Sequence, residues 1–195
     1  MMKVVVYATA LAMMATVAGC ASLSKAECQV ADWLQIGERD GYQGYDWGRI
    51  ADHAKACARV GVVPDQKTWE QGRQKGLKTY CTMPNAYRRG LSGNYLNDVC
   101  PVEIQEDLNI ANRYGHNIYK LRNMVDSGKR DLKKLQDQLK KLQEGDNLEF
   151  KSEKEARAYM LELPEKIRKL ENDISHYESE ANRVKAIGDR RFLVY

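Results

Sequence analysis

The 195-residue sequence has little that would carry catalysis or span a membrane. Its uncharged, mostly apolar run, Val4 to Ala15, is too short and one-sided for a spanning helix, which needs about 20 apolar residues. The formal net charge is only +4, too mild an excess to point to a nucleic-acid partner. No C-x2-C or comparable cluster is present, so no zinc site or other metal is expected. G-x-S-x-G, H-E-x-x-H and Walker-type loops are all missing. No cofactor and no catalytic set is expected, and the chain reads as a non-enzyme.

What is present begins with an address. Lys3 supplies a short positive region, the apolar run follows, and the run ends in Val17-Ala18-Gly19-Cys20. This resembles the lipobox of bacterial lipoproteins, in which residues 1–19 are removed and the cysteine carries the lipid. One acyl chain holds weakly, at about 0.8 kcal/mol per buried methylene, but lipoproteins generally carry two or three. Palmitate-type acylation at Cys20 therefore implies permanent membrane attachment. Ala21 and Ser22 follow, with no aspartate beside the cysteine, which resembles sorting to the outer membrane, facing the periplasm. Loss of Lys3 leaves the mature chain near +3. Residues 20–27 read as the lipidated tether.

Four cysteines remain: Cys28, Cys57, Cys81 and Cys100. An even number in an exported chain reads as two disulfides. Three pairings are open; Cys28–Cys57 with Cys81–Cys100 closes the shortest loops, at about 3 kcal/mol each.

Composition shifts near Pro101. Residues 28–101 are rich in glycine, aromatics and cysteine, whereas 102–187 hold three glycines, one proline and no cysteine. In the first region Trp33-x3-Gly37-x3-Gly41 is followed by Trp69-x2-Gly72-x3-Gly76 and, more loosely, Tyr87-x2-Gly90-x2-Gly93. Glycines four apart share a helix face. Each costs about 1 kcal/mol against alanine, which close approach of another backbone offsets. A membrane-inserted glycine zipper is disfavoured by Arg39, Asp40, Arg73 and Lys75. The reading is a helix over 28–40, a second over 47–59 ending at Gly61, and a third over 66–80 capped by Asp65. Residues 82–100, with Pro84-Asn85 and two glycines, read as irregular turns stapled by cysteine.

Residues 102–187 carry heptads. Val125, Gly128, Leu132, Leu135, Leu139 and Leu142 form one seam, continued upstream by Tyr114, Ile118 and Leu121. Ala156, Met160, Leu163, Ile167, Leu170, Ile174, Tyr177, Ala181 and Val184 form another. Gly145 breaks the first helix, Ser152 to Glu155 is a capping box for the second, and Pro164 is expected to bend or break it. Both helices open acidic and close basic, which suits their dipoles and an antiparallel fold-back about 60 Å long. Residues 188–195 read as a tail. The expected fold is all-α: a small disulfide-stapled helical head followed by a long antiparallel coiled-coil hairpin.

The order Trp33-x3-Gly37-x2-Asp40-Gly41, His53-x3-Cys57, Gly61-Val62-x-Pro64-Asp65, Gly72-x3-Gly76-Leu77-x2-Tyr80-Cys81, Tyr87-x2-Gly90-x2-Gly93 and Cys100-Pro101 resembles bacterial lipoproteins grouped as domain-of-unknown-function family 2799. Trp69 stands where that pattern has tyrosine and Ala86 where it has glycine. The resemblance implies an envelope lipoprotein with paired cysteines and no particular activity, here with a C-terminal coiled-coil extension.

His53 and Cys57 lie four apart, the spacing of a Cys–His nucleophile pair, but a bridged Cys57 cannot attack, so His53 reads as structural. Asp40 and Asp65 could form a carboxylate pair; more simply, Asp65 caps a helix and Asp40 ends one. The candidate binding surface is Tyr42, Tyr45, Trp47, Tyr87 and Tyr95 beside Arg88 and Arg89, aromatics that can stack on sugars; the plain alternative is aromatics filling space beside glycines. The leading expectation is a membrane-tethered structural or interaction module with an envelope-protein or peptidoglycan partner. A cell-wall glycan-binding module is the alternative, and an envelope hydrolase using His53 ranks below it.

Overall fold

A computed structural model describes residues 22–146 and 150–193. The expected leader and Cys20 lie outside those residues. Every regular element among the described residues is helical: α1 (Lys25–Gln29), α2 (Trp33–Gln43), α3 (Arg49–Cys57, continued by a 3-10 turn Ala58–Val60), α4 (Gln66–Tyr80), α5 (Met83–Leu91), α6 (Val102–Gln143) and α7 (Glu153–Phe192).

The start signals explain most boundaries. Asp32, Asp65, Thr82 and Ser152 each accept a bond from the backbone N–H three residues on, satisfying donors that a helix start leaves open. Ser24 and Glu27 form a reciprocal capping box for α1. Gly44, Gly61 and Gly145 end helices or turns at φ of 77°, 70° and 93°, where a Cβ is strained.

Three sequence expectations are corrected. The helix expected over 28–40 is two helices, because the Asp32 cap restarts the chain after Gln29. The stretch 82–100 is not all irregular: α5 occupies Met83–Leu91, with Pro84 in its first turn, where proline's missing N–H costs nothing. Pro164 does not break α7; it is exposed, while its neighbour Leu163 is fully buried with Leu142 and Ala156, and that packing holds the helix through it.

The glycines decide the packing. A Cβ on Gly37 would lie 1.9 Å from the Trp69 carbonyl oxygen, and one on Gly41 2.0 Å from that of Arg73. Reciprocally, a Cβ on Gly72 would lie 2.0 Å from the Leu34 carbonyl oxygen and one on Gly76 2.1 Å from that of Glu38. Contacts advance together along both chains, so α2 and α4 run parallel, backbone against backbone, with α3 as the return. The same device recurs once. A Cβ on Gly90 would lie 2.1 Å from the Asn112 carbonyl oxygen and one on Gly115 2.3 Å from that of Tyr87, which sets α5 parallel to the start of α6. Gly93, the last glycine of the third copy, is instead a turn residue at φ 78°.

The disulfides are Cys28–Cys57 and Cys81–Cys100, the short-loop pairing. The first ties α1 to the end of α3. The second joins the end of α4 to the approach to α6 and so encloses α5, and Tyr80 completes the joint between the two glycine crossings. Its buried ring lies under Gly44, its hydroxyl accepts the Asn97 N–H (2.9 Å), and Asn97 Nδ2 donates to the Gly44 carbonyl.

α6 and α7 fold back as an antiparallel hairpin, with Gly128 against Ile174, Lys129 paired with Glu178, and Tyr159 donating to Gln138. The composition shift at Pro101 is no break in packing, since α5 lies on α6. Nor is 188 a tail: α7 continues to Phe192, which is buried with Tyr87, Leu108 and Ile118, and Gly188 lets Tyr87 approach.

Gly37→Ala should therefore cost at least about 3 kcal/mol, the upper range for overpacking, because the obstacle is backbone. Gly48→Ala, whose Cβ would meet only the Asp46 carboxylate at 3.1 Å, should stay within about 1 kcal/mol. Urea unfolding of the two variants checks the contrast.

Candidate functional site

The parallel α2–α4 crossing brings three buried polar groups together. Asp40, one turn past Gly37, is 2% exposed, and His53 on α3 is fully buried. Asp40 Oδ2 accepts the indole N–H of Trp69 at 2.8 Å and lies 2.7 Å from His53 Nε2. That oxygen serves as acceptor to both, so Nε2 carries the proton. The other ring nitrogen, Nδ1, lies 2.8 Å from the Ser22 hydroxyl. A neutral ring accepts the Ser22 O–H there; a charged ring donates to it. Trp33 closes one side, its ring 6.3 Å from the imidazole, and Leu23, 2% exposed, packs with Ile36, Ile50, Cys57 and Trp69.

Serine, imidazole and carboxylate in a row are the parts of a nucleophilic triad. In this molecule Asp40 and His53 are buried and Ser22 is half-buried. His53 is sealed, and the surface hollows at Trp47, at the Cys81–Cys100 bridge and along the hairpin do not include Ser22, His53 or Asp40. What the arrangement does is hold. It fastens the first described residue of the chain to the centre of the head. The stretch expected to be a tether is folded from Ser22 onward.

The expected aromatic surface is not one cluster. Tyr42, Trp47 and Tyr95 are exposed. Tyr45 is half-buried under the Arg49 guanidinium, 4.2 Å from its ring centre. Tyr95 stacks on His116 at 4.4 Å, on the α5–α6 side. Tyr87 is a correction: it is fully buried, because the Gly90–Gly115 crossing pulls its turn onto α6 while Arg88 stays outside. Arg89 is half-buried, over the Tyr80 ring. The part that remains a surface site is Trp47. Its indole is braced edge-on by Trp69 at 5.8 Å and borders a hollow of about 680 Å³ with Gln66, Lys67, Glu70, Gln71 and Gln74. Burial alone would raise the Glu70 carboxyl, but hydrogen bonds from Arg73 and Gln74 outweigh it and hold it below its usual range.

Tyr87 donates to Asp189 Oδ1 at 2.9 Å, tying the end of α7 to the head. Burial first, then that bond and the charge of Asp189, push the phenol far above the usual tyrosine range. Lys185 in turn, aided by Tyr87, holds Asp189 below its ordinary value against the opposing effect of burial.

Three members of the central network were not legible as such in the sequence. Trp69 was legible only as bulk beside glycines, and Ser22 only as tether. Asp40 was read as a helix end. The signal available was weak: a polar residue, Asp40, set inside the glycine stripe.

Fold and site define a class: an all-helical chain whose disulfide-bridged, glycine-crossed head continues into a helical hairpin. Residues 32–117 match the family described as Protein of unknown function (DUF2799), as the motif order anticipates. The match takes in both glycine crossings and stops four turns into α6. No curated protein and no solved structure matches the chain.

Asp40→Ala should cost about 3–5 kcal/mol, since it leaves the buried Trp69 and His53 donors both unpaired. Trp69→Phe should cost about 1–3 kcal/mol through the lost donor, and Ser22→Ala about 1 kcal/mol. Thermal unfolding checks that order. A second expectation concerns alkaline pH. Above about 10 the unfolded chain ionises Tyr87 while the folded chain does not, so stability falls as pH rises. Tyr87→Phe should flatten that part of the Tm-against-pH curve between pH 8 and 11.

Proposed function

We propose that the chain is a non-catalytic lipoprotein of the bacterial cell envelope, anchored through lipid on Cys20 and facing the periplasm from the outer membrane. The head fixes the anchor, and the hairpin carries an interaction surface to an envelope protein or to peptidoglycan. The observation that carries this reading is the joining of two unlike parts. Residues from Ser22 onward are clasped into the head by His53 and Asp40. From the same head a helix of 42 residues departs, about 60 Å at 1.5 Å per residue. Burying the clasped end and projecting the other suits a tethered reach better than turnover. The distal half of α6 presents Arg130, Lys133, Lys134 and Lys141 around one open hollow, with Asp137 and Asp146 also at its edge, a face with an excess of positive charge.

A specific observation favours a second reading, glycan binding at Trp47. A rigidly braced, exposed indole beside glutamine amides offers stacking and hydrogen bonds together.

Growth with radioactive palmitate should label the wild type and not Cys20→Ala; an unlabelled wild type sinks the anchor. Photo-cross-linkers on the outer face of residues 118–142 should capture one reproducible envelope partner, and their failure to capture any counts against the interaction role. Trp47→Ala should lose retention on isolated cell wall if glycan is the ligand. Unchanged retention removes that reading.

A further inference from the structure

We infer that the head rests directly on a phospholipid surface, through the face formed by α1 and the turn that follows α3. The inference builds on the lipid anchor proposed above and concerns where the head must lie once anchored. Two peptide units separate Cys20 from Ser22, a span of at most about 7 Å. Ser22 is bonded to buried His53, and Leu23 is in the core, so no slack remains between lipid and fold. An unclasped tether of eight residues, 20–27, would reach several times farther.

The neighbouring surface suits that position. α1 begins two residues after Ser22, at the Ser24 cap. It packs on α3 and on the 3-10 turn, and Cys28 is bridged to Cys57. Val30 follows that bridge on one strand of the chain and Val63 on the other. They are the two most exposed large apolar residues among those described, at 83% and 84%. Exposed cations accompany them: Lys25 on α1, Lys55 on α3 and Arg59 on the turn. Glu27, the acidic residue of α1, is occupied with the Ser24 cap, which holds its carboxyl below the usual range. Exposed valine tips on a face that also carries lysine and arginine, with Asp32 and Asp65 engaged as helix caps and Asp52 paired with Arg49, match the boundary between acyl chains and anionic headgroups. The occupant is the bilayer because the anchor delivers this face to it.

The test uses the acylated mature protein in phosphatidylethanolamine–phosphatidylglycerol vesicles, with a photo-cross-linking amino acid at Val30, at Val63 or, as control, at Leu161 on the hairpin, which is 77% exposed. Lipid adducts should form from 30 and 63 and not from 161. A flexible Gly-Ser insert between Ala21 and Ser22 should abolish those adducts while acylation and helicity stay intact. Acylated protein giving no lipid adducts at 30 and 63, or giving protein–protein adducts instead, overturns the inference and leaves the anchor standing. Adducts that survive the insert overturn the argument from the short span. Absence of acylation removes the anchor reading and this inference with it.

Discussion

The contact on which the molecule depends is the approach of two helix backbones to a distance that admits no Cβ. Where Gly37 and Gly41 lie on the carbonyls of α4, and Gly72 and Gly76 on those of α2, the helices touch main chain to main chain. Four helix glycines lower intrinsic helicity by about 1 kcal/mol each. Dense van der Waals contact, with Cα–H groups facing carbonyl oxygens, offsets that cost. The crossing also sets positions. It places the Trp69 indole over Asp40, leaving His53 to complete the carboxylate's bonding from α3. A buried carboxylate lacking those donors would destabilise the fold. The glycines make the network possible, and the network fixes which residues stand between them.

The second crossing, Gly90 with Gly115, extends the same logic into the hairpin. It pins α5 to the root of α6, and Tyr87 then reaches across to Asp189 near the end of α7. Head and hairpin thus share one buried cluster, from Ala86 to Phe192. Each crossing has a disulfide near it, so the covalent links reinforce packing units that the glycines have already defined.

Much of this was legible because glycine spacing and heptads are one-dimensional signals. The stripes at 37/41 and 72/76 marked helices needing close neighbours, and the apolar seams marked the hairpin. Which helix answers which could not be read. Gly90 pairs with Gly115, and Gly115 stands alone inside a heptad stretch with no second glycine four residues away. Tyr87 was misplaced because Arg88 and Arg89 follow it; one helical turn puts adjacent residues on different faces. The clasp was hidden for another reason. Ser22, Asp40, His53 and Trp69 come from four separate segments, and no spacing rule joins them.

The account stands on the Asp40–His53–Trp69 junction being a fixed, proton-bearing contact in solution. Proton NMR of the mature chain measures it directly. A slowly exchanging His53 Nε2 proton, with a nuclear Overhauser contact to the Trp69 indole N–H, is the expected result. A His53 ring proton that exchanges at once with solvent, and shows no proximity to Trp69, would contradict the account.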